Sequence, residues 1–385
     1  MRRLRRLAVG AAVLWSGGCA LFVLSNLLCA PFVPREPEQR PDLSAWDPAA
    51  LGRAYPGMAR SEVEALLRET WGRRLGFEPF THFRERPFRG RYVNVHEAGF
   101  RFSAEQGPWP AEPGSLNVFV FGGSTAFGYG VRDDETFASH LARGLPGLGP
   151  GRRPRVYNFG RGAYYSTQER VLFSELLEQG AAPRVAVFLD GLNEFFYPRD
   201  EPAHSGRMRA AFDEDGEDLA SALRRAARAL PALRLLAAPG PLAEGAPGEE
   251  GAPEGAGGGF ASGVDRAVTR YLANKRLIAA AAREHGVVSV FAWQPLPMYA
   301  YEHRDSDGPR PGLGNPERWR RRYETVAERM RKGELGSDFI WCADVARGAP
   351  GPLYVDRVHY SGLMNRRIAE AVLRALSERR LLPSS

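Results

Sequence analysis

Five residues in this chain have the types and the order that acyl transfer through a serine requires. The stretch FVFGGSTAFGYG (Phe119–Gly130) is an apolar run that stops at two glycines and then delivers Ser124. A serine hydroxyl is a poor nucleophile until a base takes its proton. His359 is the candidate base, because an imidazole titrates near neutral pH. Asp356, three residues earlier, can reach the other ring nitrogen, fix the tautomer and favour the imidazolium as it forms. The oxyanion that develops on attack needs donors placed in advance. Candidates are the backbone N–H of Ser124, a backbone N–H from NFGRGA (Asn158–Ala163), and the side-chain amide of Asn193 in DGLNE (Asp190–Glu194). Spacing from Asn158 suits Gly162 or Ala163 as the second donor.

Taken singly, each residue has a plainer reading. Ser124 fits a turn or helix cap, Asn158 a structural turn, Asp356 a cap before the last helix, and His359 a satisfied surface histidine. Their positions argue against four coincidences. From Asn117 onward, strand-like runs (NVFVFG, RVYNFG, RVAVFLDG, VVSVFAWQP, DFIWCADV) alternate with helical patterns. These include DDETFASHLARGL, read with an acidic N-cap, and STQERVLFSELLEQG, read with a C-cap glycine. Strands apolar throughout and separated by helices predict an α/β fold with an open, doubly wound parallel sheet flanked by helices. Ligands collect beyond the carboxyl ends of such strands, and every candidate residue lies at a strand end or just before the last helix.

This order of blocks resembles the SGNH (GDSL-like) hydrolase superfamily over roughly residues 115–380. The matching positions are Ser124, Gly162, Asn193 and the pair Asp356 and His359. The resemblance implies an SGNH-like fold and a serine esterase with no cofactor. It departs in two places. Gly123 stands where the family has an acidic residue before the nucleophile, as in variants that resemble its membrane-anchored members. Glu194 follows Asn193 where Asp is common. The expected function is a serine-dependent ester hydrolase acting on envelope glycan or lipid esters through a Ser-His-Asp acyl-enzyme. Two alternatives stay open. One is an O-acyltransferase modifying an exported polysaccharide, its acyl donor supplied by a partner. The other is a catalytically silent glycan-binding or scaffold domain.

The rest of the chain places this domain. Its 385 residues, 44% hydrophobic and 25% charged, suit a large folded core, and the net charge is +7. Four of the arginines (Arg2, Arg3, Arg5, Arg6) precede an uncharged apolar run from Leu7 to Ala30. That run is long enough to span a bilayer, whereas a cleaved signal has a shorter apolar core. A lipid-attachment reading of Cys19 fits poorly, since its upstream leucine is misplaced. The positive-inside rule puts the arginines in the cytoplasm and the C-terminal domain outside it, in the periplasm of a Gram-negative cell. Because the excess charge sits in this flank, no nucleic-acid partner is expected. Cys19 and Cys29 lie in the span, which leaves Cys342 alone in the soluble part, without a disulfide partner.

The expected organisation is an anchor over residues 1–33, a stalk and accessory segment over 34–115, and the catalytic domain over 116–384. Within the accessory segment, SEVEALLRETWGRRL reads as a short helix. Phe80–Ser103, with aromatics alternating with basic residues, reads as irregular β structure packed on the main domain. The domain carries an insertion at about 195–264, with a basic amphipathic helix and a Gly/Pro/Ala/Glu tract (about 238–260) expected to be disordered. Neither glycine stretch matches a Walker loop or a dinucleotide fingerprint. The run DEDGED (Asp213–Asp218) lacks the ligands of a calcium loop, and the histidines show no metal-ligand spacing.

Overall fold

The computed structural model describes residues 2–32, 43–148, 153–197, 199–205, 230–231 and 260–382. The amphipathic helix, the Gly/Pro tract and the DEDGED run fall almost wholly outside the described residues. The chain divides into two compact units, the second formed by Gln39–Ser205 with Ala246–Ser385. In the first, Arg2–Cys29 is one helix, α1, in which Val9–Cys29 is long and apolar enough to cross a membrane.

The second unit is built on five parallel strands: β5 (Leu116–Gly122), β6 (Pro154–Asn158), β7 (Val185–Asp190), β8 (Val288–Trp293) and β9 (Phe339–Trp341). Their order is β6-β5-β7-β8-β9. The chain therefore reverses direction across the sheet between β5 and β7, the switch point where an open α/β sheet leaves a crevice. Alternation along the strands splits the core into two chemistries. Phe119 and Phe121, Phe188, Phe291 and Trp293 face one side, and Val118, Val120, Val187, Leu189 and Val290 face the other. In-register pairing aligns Phe121, Phe188 and Phe291 into a row of near-parallel rings with centroids 4.8 and 5.1 Å apart. Helices α6 (Ser166–Glu178) and α8 (Phe260–Glu284) cover the aromatic face; α5 (Phe137–Gly144) and α11 (Gly362–Glu378) cover the aliphatic face. Between β8 and β9 lie α9 (Pro297–Ala300) and α10 (Pro316–Arg331). Short helices α4 (Ser124–Phe127) and α7 (Leu192–Phe196) follow β5 and β7 directly.

The residues before β5 belong to the same compact unit. Helices α2 (Pro48–Ala54) and α3 (Arg60–Trp71) are followed by a hairpin of β1 (Leu75–Glu78) and β2 (His82–Glu85) and a second short pair, β3 (Phe88–Arg89) and β4 (Asn94–Val95). This segment joins the main sheet at its edge, where Arg101 N–H donates to Asn158 O at 2.8 Å. Its apolar cluster, with Leu66, Tyr92 and Val95, closes over Phe127 at the end of α4 and over Val355.

One local expectation is overturned. The N-cap of α5 is Thr136, whose hydroxyl accepts from Ser139 N–H, and not an acid. Asp133 is drawn away by the buried guanidinium of Arg101 at 2.8 Å and by the Asn94 amide at 2.8 Å.

Candidate active site

Ser124 follows β5 without a connecting loop, and the backbone at Gly122 (φ +145°) makes the sharp turn. A Cβ there would press on Ala126 and the Leu189 carbonyl, so only glycine fits. At the other end of the chain, Asp356-Arg357-Val358-His359 forms a tight turn. The N–H groups of Val358 and His359 donate to Asp356 Oδ1 at 2.9 and 2.8 Å, and Val355 N–H donates to His359 O. This turn is why the acid and the histidine are three residues apart: one carboxyl oxygen accepts from the turn and the other faces the ring. Asp356 Oδ2 lies 2.7 Å from His359 Nδ1, and His359 Nε2 lies 2.8 Å from Ser124 Oγ. A carboxylate can only accept, so Nδ1 carries the proton and Nε2 is free to accept from the serine. Both side chains are only 13–14% exposed, while Ser124 stays half-buried and reachable. Burial pushes the Asp356 carboxyl up. The facing imidazole and the hydrogen bonds of the turn outweigh that and hold it below the usual carboxylate range.

The donor candidates converge on the same end of the sheet. Among the described residues, the N–H groups of Ser124, Gly162 and Ala163 donate to no backbone acceptor. Gly162 is buried, whereas Ala163 is half-buried with φ +59°, a left-handed backbone uncommon for alanine. Asn193 Nδ2 donates one hydrogen to Tyr164 O at 2.7 Å, which fixes the orientation of the amide and leaves the second hydrogen free. That amide also accounts for Gly123. A Cβ at position 123 would overlap Asn193 Nδ2 and stand 3.1 Å from Tyr164 O. The side chain missing before the nucleophile has no room, because the amide occupies its place.

The other residues of these blocks are braces. Asn158 donates to Ala126 O at 2.9 Å and accepts from Gly160 N–H at 3.0 Å, pinning the second loop to α4. Glu194 accepts from Ser166 N–H at 2.7 Å and faces Arg270 at 3.2 Å. Behind it, burial raises the carboxyls of Glu169 and Asp190, the latter to about 7, so this pocket of acids takes up protons on folding.

Several residues at the site were not picked out by sequence reasoning. Tyr129 stacks on His359 with ring centroids 5.3 Å apart and planes at 22°, and Trp71 meets the imidazole edge-on at 5.7 Å. The buried pair Arg73 and Glu85 lies behind Tyr129. Gln294, after β8, accepts from the Thr125 hydroxyl at 2.7 Å. The one signal that could have found Tyr129 is its Gly-Tyr-Gly setting just beyond α4, in the same short stretch as Ser124. Among the described residues, no group of three or more His, Cys, Asp and Glu is placed to hold a metal ion.

No protein-family model matches the chain, and no curated protein matches it in sequence. Solved structures similar to it include lipolytic proteins of the G-D-S-L family, an acylhydrolase and an acetylxylan esterase. A member of the lipolytic protein G-D-S-L family from Veillonella parvula is 9% identical, with 68% of this chain and 97% of that one covered and a TM-score of 0.36. A catalytic mutant of Axe2, an acetylxylan esterase from Geobacillus stearothermophilus, is 14% identical over 69% of this chain and 96% of that one, with a TM-score of 0.36. TesA is 15% identical over 69% and 99%, with a TM-score of 0.35.

Proposed function

We propose that this chain is a membrane-tethered serine esterase that cleaves esters of cell-envelope glycans or lipids through an acyl-enzyme. The observation that carries the reading is the continuous hydrogen-bonded chain from Ser124 through His359 to Asp356, ending in a reachable hydroxyl at the switch point of the sheet. In the first half-reaction Ser124 Oγ attacks the ester carbonyl while its proton passes to His359 Nε2. The imidazolium faces the Asp356 carboxylate, which stays ionised. The tetrahedral oxyanion is met by the N–H of Ser124, an N–H of the Gly162–Ala163 turn and the free hydrogen of Asn193 Nδ2. Collapse expels the alcohol, which takes the proton from His359. Water then repeats the sequence on the acyl-serine and releases the acid. The apolar helix Val9–Cys29 supports tethering and, with it, a substrate in the envelope.

The test uses the full-length protein in detergent with p-nitrophenyl acetate, beside Ser124→Ala. Steady turnover that falls about 10³-fold or more in the variant is the expected result. Equal turnover in both proteins would sink the reading. A stoichiometric burst that stalls until a sugar is added would redirect it to acyl transfer.

A further inference from the structure

We infer that Tyr129 and Trp71 are positioning residues for His359, and that the segment before the sheet thereby completes the site. The inference rests on the proposed Ser124–His359–Asp356 chemistry and assigns work to residues outside it.

The two hydrogen bonds of His359 hold its two ring nitrogens, Nδ1 on Asp356 and Nε2 on Ser124. Small changes in χ1 and χ2 can still tilt the ring plane about the line joining those nitrogens. Such a tilt turns the Nε2 lone pair away from the serine O–H whose proton it receives, and reacting groups tolerate little misalignment. Two aromatic rings remove this freedom. Tyr129 lies nearly parallel to the imidazole, Trp71 stands across it at 82°, and these two rings meet each other at 5.3 Å and 80°. The imidazole therefore sits in a corner with two walls. The Tyr129 wall also presents a π face to the ring at the moment it becomes a cation, which favours the transition state over the resting state.

The corner is itself held from three sides. Tyr129 stands between Gly128 (φ +93°) and Gly130 (φ +82°), left-handed positions that turn the chain back over the site. Arg101, fully buried, donates to the carbonyls of Phe127, Gly128 and Val131 and so clamps both ends of that turn. The Tyr129 hydroxyl lies against Gly162, where a Cβ would come within 2.6 Å, and 3.4 Å from Glu85 Oε1. Burial raises the pKa of that hydroxyl and keeps it protonated. Glu85 pairs with Arg73 at 3.3 Å, with side chains 1% and 3% exposed, and the Arg73 guanidinium covers Phe127 at 4.4 Å. A buried pair of this kind is costly to desolvate and contributes little net stability, which suits a role in fixing geometry. Trp71, Arg73 and Glu85 all come from the residues preceding β5.

A purely packing role predicts lost stability and nothing specific to catalysis, so the experiment compares variants that keep or remove the ring. In the full-length protein, Tyr129→Leu is expected to lower kcat for p-nitrophenyl acetate about 10- to 100-fold while KM changes less than about threefold. Tyr129→Phe, which keeps the ring, recovers most of the loss. Trp71→Leu, at a half-exposed position that tolerates change, is expected to lower kcat about fivefold or more, with Trp71→Phe recovering it. A readout independent of turnover is the downfield proton signal of His359 Nδ1–H, identified by its absence in His359→Gln. It should broaden in both leucine variants and persist in both phenylalanine variants. Wild-type kcat and an intact signal in the leucine variants would overturn the inference, as would equal losses in the leucine and phenylalanine variants. Turnover that does not depend on Ser124 would instead remove the esterase reading, and the proton signal would still report whether the rings hold the imidazole.

Discussion

Gly123→Ala is the perturbation that most directly tests how the site is assembled. The added Cβ would lie well under 3.0 Å from Asn193 Nδ2, and ordinary contact begins at 3.4 Å. The amide must therefore withdraw by about 1 Å, a misplacement that can cost about 10²-fold in rate when it moves a catalytic group. It cannot withdraw freely, because its other hydrogen is committed to Tyr164 O at 2.7 Å. Losing one oxyanion donor costs about 10²–10³-fold in kcat. The fold loses far less, since the clashing atom is the end of a half-buried side chain that gives way once its one hydrogen bond to Tyr164 O is broken; about 1 kcal/mol fits a mild overpacking. Activity should thus collapse while the melting temperature barely moves. The assay is kcat and KM for p-nitrophenyl acetate in wild type, Gly123→Ala, Asn193→Ala and the double variant. If the glycine acts through the amide, the double variant is no slower than Asn193→Ala alone, because the donor can be lost only once. Strictly additive losses, or a fully active Gly123→Ala, would refute the reasoning.

Two further predictions concern stability. Burial first, then the neighbouring Glu194, pushes the Asp190 carboxyl up to about 7, against a partly opposing hydrogen bond with Glu169. A raised carboxyl contributes stability that is full below its unfolded pKa near 4 and is lost as pH rises through the folded value. Asp190→Asn, which cannot ionise, should therefore gain on wild type between pH 5 and pH 8, by up to about 3 kcal/mol, since about two pH units at 1.36 kcal/mol each separate pH 5 from the folded value. Denaturant unfolding at the two pH values measures this, and parallel pH profiles for the two proteins would contradict it. Arg101→Met should cost about 3–5 kcal/mol, because it leaves Asp133 without its buried partner and the Val131 carbonyl without a donor, while the carbonyls of Phe127 and Gly128 keep only the longer bonds from Asn158 Nδ2 and Val131 N–H at 3.3 and 3.4 Å. An unchanged denaturation midpoint would show that the turn holds without it.

The sheet was legible in the sequence because its signal is local. Runs such as VAVFLD are apolar at nearly every position, and that pattern belongs to a strand covered on both sides. Asp356 and His359 were legible for the same reason, since their spacing is that of a single turn closed by its own N–H groups. The helix caps were less so: Asp133 looks like a cap until Arg101, thirty-two residues away, takes its carboxylate.

What the sequence by itself determined was the strand–helix alternation, the apolar N-terminal helix and the order in which chemical groups arrive at strand ends. Only the tertiary structure decided how those groups meet. Ser124 and His359 are 235 residues apart and touch because the turn before the last helix packs on the end of α4, with Val355 in the same apolar cluster as Phe127. The empty place at Gly123 made sense only once Asn193 was seen to fill it, and the rings around His359 come from Trp71 and Tyr129, which precede and follow β5 in the chain. Contacts of this kind have no periodicity to read. They are set by packing between distant segments, where shape and burial, and not local preference, choose the partner.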